Sequence, residues 1–160
     1  MNRAFVLTGS NMGDREARLE EAAVLINQQC GQIVKSSSLY ETAAWGLKDQ
    51  PAFLNQAHEI ETSHNARQLM RKILKVEKQM GRVRKEKYGP RIIDVDILFF
   101  NDEIHEYPLL RLPHPELHNR RFALVPMAEL DRGHRHPQLD KTVSELLEMC
   151  TDMLPVLKYK

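Results

Sequence analysis

The segment 92–100 is the sequence feature that most constrains the fold. It reads Ile-Ile-Asp-Val-Asp-Ile-Leu-Phe-Phe, so every residue except Asp94 and Asp96 is apolar. A short apolar run rich in β-branched and aromatic residues predicts a strand buried in a sheet. Because alternate residues of a strand share a face, both aspartates are predicted on one face, about 6.6–6.8 Å apart along the backbone.

Two carboxylates at that spacing predict either a metal site or an ion pair. Oxygen ligands with no cysteine nearby favour Mg²⁺ over zinc, and a pair of metal ions about 3.5–4 Å apart would fit between them. A solvated sheet face, or an ion pair with a neighbouring arginine, accounts for the same two residues. The aspartates alone leave these alternatives open.

Composition excludes several classes of protein. The 160 residues are 42% hydrophobic and 28% charged, which predicts one globular domain over residues 1–160. The formal net charge of +1 provides no overall attraction to nucleic acid or to an anionic membrane. No apolar stretch approaches the roughly 18–20 residues that span a bilayer, and the first apolar run is too short for a signal peptide. With only Cys30 and Cys150, we expect a cytoplasmic protein without a disulfide framework.

Hydrophobic periodicity predicts an ordered series of strands and helices. Strands are predicted over 3–8, 32–42, 53–62 and 92–100, and helices from the Asp14 cap to Gly31, over about 65–81, over 122–130 and from the capping box at Thr142. The turn-prone residues 101–102 predict that 92–100 pairs with 104–112 as a hairpin. This order predicts an α+β fold: a ferredoxin-like sandwich with a mainly antiparallel sheet, a βαββαβ core, and a C-terminal hairpin and helices.

A basic segment lies immediately before the aspartates. Five of its residues are cationic: Arg82, Arg84, Lys85, Lys87 and Arg91. A solvated loop or a nucleic-acid patch is the usual interpretation of such a run. Its position favours a Mg²⁺-polyphosphate, because the cations suit phosphate oxygens and the carboxylates suit the metal. The chain contains no GxxxxGK[ST] motif, so ATP would be bound by another architecture.

Other side chains are ambiguous when taken singly. Phe53 and Asn55 share a strand face and could hold a flat heteroaromatic molecule by stacking and hydrogen bonding, although a core phenyl and a strand-end cap are the simpler interpretation. His114, between two prolines, could donate to a phosphate or lie on the surface. The histidine pairs 114/118 and 134/136 have metal-like spacings, but the absence of the usual glutamate or cysteine partners disfavours zinc.

Several segments together resemble one enzyme family. They are Lys87–Leu98, Gly9–Asn11, Tyr40–Thr42, Asp49–Pro51, Phe53–Asn55, Gly81–Arg84, Pro113-His114, and Asn119-Arg120 with Phe122. In this order they resemble the 6-hydroxymethyl-7,8-dihydropterin pyrophosphokinases of folate biosynthesis. The resemblance spans essentially the whole chain. It implies transfer of diphosphate from ATP to the hydroxymethyl group of the pterin, with release of AMP, by a monomer that binds neither nucleic acid nor membrane.

The resemblance also implies site residues. Asp94 and Asp96 would bind two Mg²⁺ ions that bridge the ATP phosphates, and Arg82 and Arg91 would act with them in catalysis. The implied pterin-binding residues are Thr42, Ala43, Trp45, Phe53, Asn55 and Phe122, with the pterin sandwiched between the two phenylalanines. The implied ATP-binding residues are Glu77 near the adenosine and Arg82, Arg84, Arg91, Ile97, Arg111, His114 and Arg120. Loops around 45–50 and 82–91 would close over the site.

The sequence departs from the family pattern at four places. Thr42-Ala43-Ala44 stands where the family usually has Thr-Pro-Pro, and Tyr88 replaces a loop tryptophan. Leu109 stands where some members have an arginine, and Arg111 is the candidate substitute. Pro115 replaces a tyrosine that some relatives carry.

Two other functions are compatible with parts of the sequence. A nucleic-acid-binding module could use the basic loop, but its sheet should carry exposed aromatic residues rather than aspartates. A two-metal phosphodiesterase would fit the aspartates but not the pterin-side residues.

Overall fold

A computed structural model describes residues 1–43, 50–82 and 90–160, which form an antiparallel sheet with two helices on each face. The elements in chain order are β1 (Asn2–Ser10), α1 (Arg15–Gln29), β2 (Gln32–Ser36), β3 (Tyr40–Thr42), β4 (Phe53–Thr62), α2 (Ala66–Gln79), β5 (Asp94–Phe100), β6 (His105–Tyr107), β7 (Leu110–Leu112), a 3-10 helix (Leu117–Asn119), α3 (Arg121–Asp131), β8 (Arg135–His136), β9 (Lys141–Thr142), α4 (Val143–Met149) and β10 (Val156–Lys158). The predicted mixed fold with an antiparallel sheet is confirmed.

The main sheet has six strands. Five follow the order β10-β3-β4-β1-β5, and β2 also pairs with β4. All of these pairs are antiparallel. The central strand β1 therefore lies between β4 and β5, which carry the two groups of predicted site residues.

Alternation along β1 separates two hydrophobic cores. Ala4 and Val6 face the core that contains residues of α1 and α2, whereas Phe5 and Leu7 face the core that contains residues of α3 and α4. Burial of apolar side chains on both faces explains why β1 is almost continuously apolar. Each fully buried Leu, Ile or Phe contributes about 1.5–3 kcal/mol relative to exposure, so both cores stabilise the sheet.

Strand β5 contains an irregularity that changes which face its side chains occupy. The pairing with β1 shifts between Phe5, opposite Phe99, and Val6, opposite Ile97, so Leu98 is an extra residue. As a result, Leu98 and Phe99 both lie in the core beneath α3 and α4.

Local sequence signals predict the helix starts well. Asp14 accepts a hydrogen bond from the backbone N–H of Ala17, and capping boxes are present at Asn65 and at Thr142. Such caps satisfy backbone donors that have no partner within the helix and stabilise each helix by about 1 kcal/mol. Helix α3 also forms where it was predicted.

The predicted hairpin between 92–100 and 104–112 is wrong. Strand β6 pairs with β7 in a separate two-stranded sheet, while β5 pairs with β1. The turn-prone residues do turn the chain, since Asn101 has a φ of 48°. The chain then reverses direction at Pro108-Leu109, between β6 and β7. This turn brings Leu110 and Leu112 of β7 into the α1/α2 core.

Several other strands also differ from the predictions. Strand β1 continues to Ser10 because Gly9 and Ser10 pair with β4. The predicted strand 32–42 is two strands, separated where the Ser37 N–H donates to the Ala57 carbonyl and the Ser37 hydroxyl accepts from the Ala57 N–H. Strand β10 was not predicted. It forms an edge of the sheet beside β3. Within the described ranges, no helix is long and apolar enough to cross a membrane.

Candidate active site

The predicted pterin-side and metal-side residues lie on one face of the sheet. Across the strands, Asn55 on β4 is opposite Gly9 on β1, and Gly9 is opposite Asp94 on β5. In the next row, Leu7 lies between Ala57 and Asp96. Adjacent strands are about 4.8 Å apart, so Asn55 and Asp94 lie about 10 Å apart across Gly9.

Gly9 lets the Asn55 amide approach the backbone of β1 closely. A Cβ atom at this position would lie 2.5 Å from Oδ1 of Asn55 and 3.7 Å from Cδ1 of Phe53. A contact of 2.5 Å is far inside van der Waals separation, so any side chain here would displace the amide. The glycine therefore forms the floor between the pterin-side and metal-side residues.

Asp94 is held by two arginines. Nη1 of Arg82 lies 3.0 Å from Oδ1 of Asp94, and Nη1 of Arg91 lies 3.2 Å from Oδ2. Arg82 also contacts Glu77, with 2.5 Å between Nη1 and Oε2. Arg82 and Arg91, at the two ends of the basic segment, thus form with Asp94 the ion pair that the sequence left open as an alternative to a metal site.

Glu77 anchors this group to the sheet. Its Oε2 accepts a hydrogen bond of 2.8 Å from the backbone N–H of Val95, and its side chain is almost fully buried. Burial raises the pKa of Glu77, opposed by the hydrogen bond from Val95 and by the charge of Arg82. The contact predicted between Glu77 and the adenosine stays a prediction.

Asp96 experiences unfavourable electrostatics. Desolvation by surrounding groups, followed by the charges of Asp94 and Glu77, raises the pKa of the Asp96 carboxyl above its usual range. Its Oδ1 lies 4.0 Å from Nε2 of His114, too far for a hydrogen bond. A cation bound at this carboxyl would relieve the repulsion.

His114 presents a donor to the same space. Its ring Nδ1 accepts a hydrogen bond from the backbone N–H of Glu116, which assigns the proton of the neutral ring to Nε2. Burial and the charge of Arg120 lower the pKa of His114 to about 4, so the ring is neutral near pH 7. Its backbone N–H donates to the carbonyl of Leu98, which fixes the ring beside β5.

A small pocket joins these groups to the start of α3. It is lined by Leu7, Asp96, Leu98, His114, Leu117, Arg120, Phe122 and Ala123. The Arg120 guanidinium lies 5.8 Å from the centroid of the Phe122 ring, within the range of a cation–π interaction. The pocket thus combines a carboxylate, a neutral imidazole, a guanidinium and an aromatic ring.

Two polar atoms on the pterin side are buried without partners. Among residues 1–43, 50–82 and 90–160, neither Oγ1 of Thr42 nor Nδ2 of Asn55 makes a hydrogen bond. A buried unsatisfied polar group costs about 1–3 kcal/mol, so such groups require a structural or functional explanation. A ligand with complementary hydrogen-bonding groups would satisfy both.

The donor set at the aspartates fits Mg²⁺. Mg²⁺ is held by one or two carboxylates together with water and substrate phosphates. In the part of the chain that the structure describes, no group of three or more His, Cys, Asp or Glu side chains forms a metal site. Asp94 and Asp96 alone would therefore need phosphate oxygens to complete the coordination shell.

The remaining predicted residues fall in different places. Ala43 is exposed at the end of β3, and Arg111 lies on the exposed side of the β6–β7 hairpin. The Ile97 side chain is 2% exposed and lies in the α1/α2 core, so only its main chain could contact ATP on the aspartate face. Trp45 and Arg84, with most of the two predicted closing loops, lie outside the described residues.

Gly9 and Asn11 belong to the site but were not predicted as site residues. Asn11 is 1% exposed and is hydrogen-bonded to Gln50, Pro51 and Arg91. Because alternate residues of a strand share a face, the sequence alone could have placed Gly9 on the same face of β1 as Leu7. The sequence contains no local signal that β1 lies between β4 and β5.

Comparisons with known proteins identify relatives. The family model described as 7,8-dihydro-6-hydroxymethylpterin-pyrophosphokinase (HPPK) matches residues 5–132. A Bacillus subtilis (strain 168) protein named 2-amino-4-hydroxy-6-hydroxymethyldihydropteridine pyrophosphokinase is 44% identical over 130 residues, which are 81% of this chain and 78% of that protein. A protein of the same name from Aquifex aeolicus (strain VF5) is 39% identical over 145 residues, covering 91% of this chain and 90% of that protein.

The fold is also similar to that of solved structures. The wild-type Plasmodium falciparum HPPK-DHPS structure with pterin and p-hydroxybenzoate matches with a TM-score of 0.72 and 18% identity, over 92% of this chain and 41% of that chain. The present chain thus spans about two-fifths of the length of this larger protein. From the sequence matches over most of its length, the chain belongs to the 7,8-dihydro-6-hydroxymethylpterin-pyrophosphokinase family.

Proposed function

We propose that this chain transfers the β,γ-diphosphate of ATP to the hydroxymethyl oxygen of 6-hydroxymethyl-7,8-dihydropterin, releasing AMP. The observation that carries the proposal is the shared sheet face. Unsatisfied polar atoms suited to a flat ligand lie on one side of Gly9, and a carboxylate pair with arginines lies on the other. An acceptor and a phosphate donor bound there would meet above Gly9.

The pterin would bind at the β4 side. Nδ2 of Asn55 and Oγ1 of Thr42 would hydrogen-bond its polar edge. Phe53 lies beside Gly9 on the same face, and Phe122 lines the pocket across the site, so the two rings could stack on the pterin. Ala43 and Trp45 remain proposed contacts from the family resemblance.

The phosphates would bind at the β5 side. Mg²⁺, as two ions in our proposal, would supply charge neutralisation to the β- and γ-phosphates when held by Asp94 and Asp96. His114, through Nε2–H, and Arg120 would donate to phosphate oxygens from the pocket wall. Arg84, Arg111, Glu77 and the main chain of Ile97 remain proposed ATP contacts.

In the proposed reaction the hydroxymethyl oxygen attacks the β-phosphorus. The bond from that phosphorus to the oxygen bridging to the α-phosphate breaks, AMP leaves with the electron pair, and the hydroxyl proton is lost to solvent. The chain's main contribution is to position the reactants and stabilise charge, because phosphoryl transfer needs little covalent help from the protein. Arg82 and Arg91 contact Asp94 now and would be available to the phosphates once a cation neutralises that carboxylate.

The finer description of the protein is also a proposal. The strand order, with β4 and β5 on either side of β1 and helices α1 and α2 on one face, supports a ferredoxin-like βαββαβ core. Pairing of β10 with β3 supports a single domain over 1–160. The free thiols of Cys30 and Cys150 fit a reducing compartment such as the cytoplasm. A monomer without nucleic-acid or membrane partners stays a prediction.

The decisive experiment measures the nucleotide product. Purified protein is incubated with ATP, Mg²⁺ and the pterin alcohol, and the nucleotides are separated by chromatography. We expect AMP in equal amount to the pterin diphosphate, and none when either the pterin or Mg²⁺ is omitted. Formation of ADP would indicate an ordinary kinase, and AMP formation without the pterin would indicate a hydrolase.

A further inference from the structure

Asn11 lies between the ends of the two segments that border the site. Its Nδ2 donates to Oε1 of Gln50, at 2.9 Å, and to the carbonyl of Pro51, at 3.0 Å. Its Oδ1 accepts from the backbone N–H of Arg91 at 2.7 Å. One amide therefore contacts the end of the pterin-side segment 43–52 and the end of the phosphate-side segment 82–91.

The hydrogen bonds on the Arg91 side continue the sheet. The backbone N–H of Asn11 donates to the Arg91 carbonyl at 3.1 Å, while the side chain accepts from the Arg91 N–H. Strand pairing between β1 and β5 ends at Gly9 and Asp94, so Asn11 extends this contact beyond the ladder. The main chain of Arg91, whose side chain contacts Asp94, is thereby fixed to β1.

The amide has little freedom to satisfy one side without the other. Both of its donor positions and its acceptor are used, and the residue is 1% exposed, so water cannot replace a lost partner. An amide that rotates to follow Gln50 and Pro51 must lose its alignment with Arg91. The position of one segment end therefore affects the energy of the other.

A second contact holds the pterin-side segment independently. Nη1 of Arg15 donates to the Ala52 carbonyl at 2.9 Å and forms an ion pair of 2.7 Å with Glu41. Arg15 thereby links α1 to Ala52 at the end of the 43–52 segment and to Glu41 just before it, without reaching Arg91. Loss of Asn11 should therefore uncouple the two segments while leaving residues 50–52 attached to the protein.

We infer that Asn11 is a positioning residue that couples occupation of the pterin side to occupation of the phosphate side. The inference rests on the proposed function for the identity of the two ligands. A ligand that favours one arrangement of Arg91 would favour the matching arrangement of Gln50 and Pro51, and the effect must be reciprocal. Asn11 touches neither reacting group in this role.

Asn11→Asp separates the two halves of the contact. The carboxylate keeps an acceptor for the Arg91 N–H but has no donor for the Pro51 carbonyl, which it would repel. Asn101→Asp is the matched control, because Asn101 also accepts from a backbone N–H, that of Arg3, while its amide nitrogen donates to Oδ1 of Asn2. Asn101 follows β5 and lies beside Arg3, at the end of β1 that is far from the proposed site.

The measurement is a ratio of dissociation constants. Calorimetry determines the affinity of an ATP analogue with a methylene bridge between the α- and β-phosphorus, in Mg²⁺, with and without saturating 6-hydroxymethylpterin. Any general effect of the new charge on nucleotide binding cancels in this ratio. A residue that serves only to stabilise the fold would not change it.

We expect the pterin to change analogue affinity about fivefold or more in the wild type. The ratio should fall to near one in Asn11→Asp and stay within about twofold of the wild type in Asn101→Asp. An unchanged ratio in Asn11→Asp, an equal loss in Asn101→Asp, or no coupling in the wild type would overturn the inference. If Asn11→Asp does not fold, Gln50→Ala removes one acceptor from a partly exposed position. An unchanged ratio in that variant would also overturn the inference.

Failure of the proposed function remains distinguishable. A wild type that binds both ligands with coupling but forms no AMP would contradict the proposed reaction and leave the coupling intact. A wild type that forms AMP without coupling would contradict only the role of Asn11. If the wild type binds neither ligand, both proposals are overturned.

Discussion

The two ends of β1 have opposite effects on the charged groups beside them: one end favours the charged form, and the other disfavours it. At the end away from the site, Arg3 is paired with Glu59 at 3.0 Å and with Asp131 at 2.9 Å. The hydrogen bond to Glu59 is the main cause that raises the pKa of Arg3, so its charged form is favoured. At the site end, burial and neighbouring carboxylates raise the pKa of Asp96, so its charged form is disfavoured.

This difference distinguishes the ion pairs of Arg3, which stabilise the fold, from those of Asp94, which belong to the candidate site. At the Arg3 end, one guanidinium contacts both of the neighbouring carboxylates directly. At the site end, Arg82 and Arg91 contact Asp94, and the charges of Asp94 and Glu77 disfavour the charged form of Asp96, which makes this carboxyl a favourable place for a cation. The same residue types therefore have different consequences because of the carboxylates around them.

The largest effect should come from removing a carboxylate at the site end. Asp96→Asn should lower kcat/KM for AMP formation about 1,000-fold or more, because charge stabilisation by a metal ligand acts in the transition state. Asp131→Asn is the control at the other end and should leave kcat/KM within about twofold. Steady-state assays of both variants at saturating Mg²⁺ make this comparison. Equal losses in the two variants would contradict the assignment of the site.

Removing an arginine at each end should affect stability unequally. The Arg82 side chain is 9% exposed and that of Arg3 is 43% exposed. Arg82→Met leaves Glu77 and Asp94 without their shared partner and should lower the free energy of unfolding by about 3 kcal/mol. Arg3→Met should cost about 1 kcal/mol or less. Urea unfolding measures both, and added Mg²⁺ should restore stability only to Arg82→Met. Restoration of both variants would mean that Mg²⁺ acts elsewhere.

A pH titration tests whether the end away from the site is acid-sensitive. Nδ1 of His136 accepts hydrogen bonds from Gln138 and Leu139, and burial lowers its pKa to about 4. The folded state therefore binds fewer protons than the unfolded state, whose histidine pKa is about 6.5. The contribution of His136 to the free energy of unfolding is complete above about pH 6.5. This contribution falls by about 2–3 kcal/mol as the pH drops toward 4.

His136→Asn should remove this part of the pH dependence, because the amide can accept the same hydrogen bonds and does not titrate. Unfolding in urea at pH 7, 5.5 and 4.5 measures the difference from the wild type. Parallel pH profiles for the two proteins would show that another group is responsible.

Substitution of two glycines should give the smallest effects, and each substitution should change a different property. A Cβ atom at Gly31 would lie 2.5 Å from the Glu61 carbonyl oxygen, which is main chain, whereas at Gly9 the equivalent contact is with the Asn55 side chain. Gly31→Ala should lower the free energy of unfolding by about 1–2 kcal/mol without changing KM. Gly9→Ala should mainly raise the KM for the pterin. Thermal unfolding and KM measurements on each variant test this division, and a KM effect at Gly31 would contradict it.

Local features were predictable from the sequence, and long-range pairing was not. Asp14 and Thr142 cap helices as expected, and Asn65 caps a helix at its predicted start, because capping depends on residues within one turn. The shared face of Asp94 and Asp96 followed from alternation within one strand. The neighbours of each strand depend on contacts between distant segments, so the hairpin prediction failed and β10 was not predicted.

The site shows the same division. The aspartates and the basic segment were identified from adjacent residues. Phe53 and Asn55 were candidates from their shared strand face, and the resemblance to the family favoured a binding role for them and added Thr42. The bridging position of Asn11 requires three separated segments to meet, and no periodic pattern records that. Gly9 has no side chain to reveal its role in a sequence.

The extra residue at Leu98 also matters for reading related sequences. It reverses the alternation along β5, so Asp96 and Phe99 share a face although they are three positions apart. A pattern that assumes strict alternation through all seven residues of β5 would therefore assign Phe99 to the wrong face of the sheet.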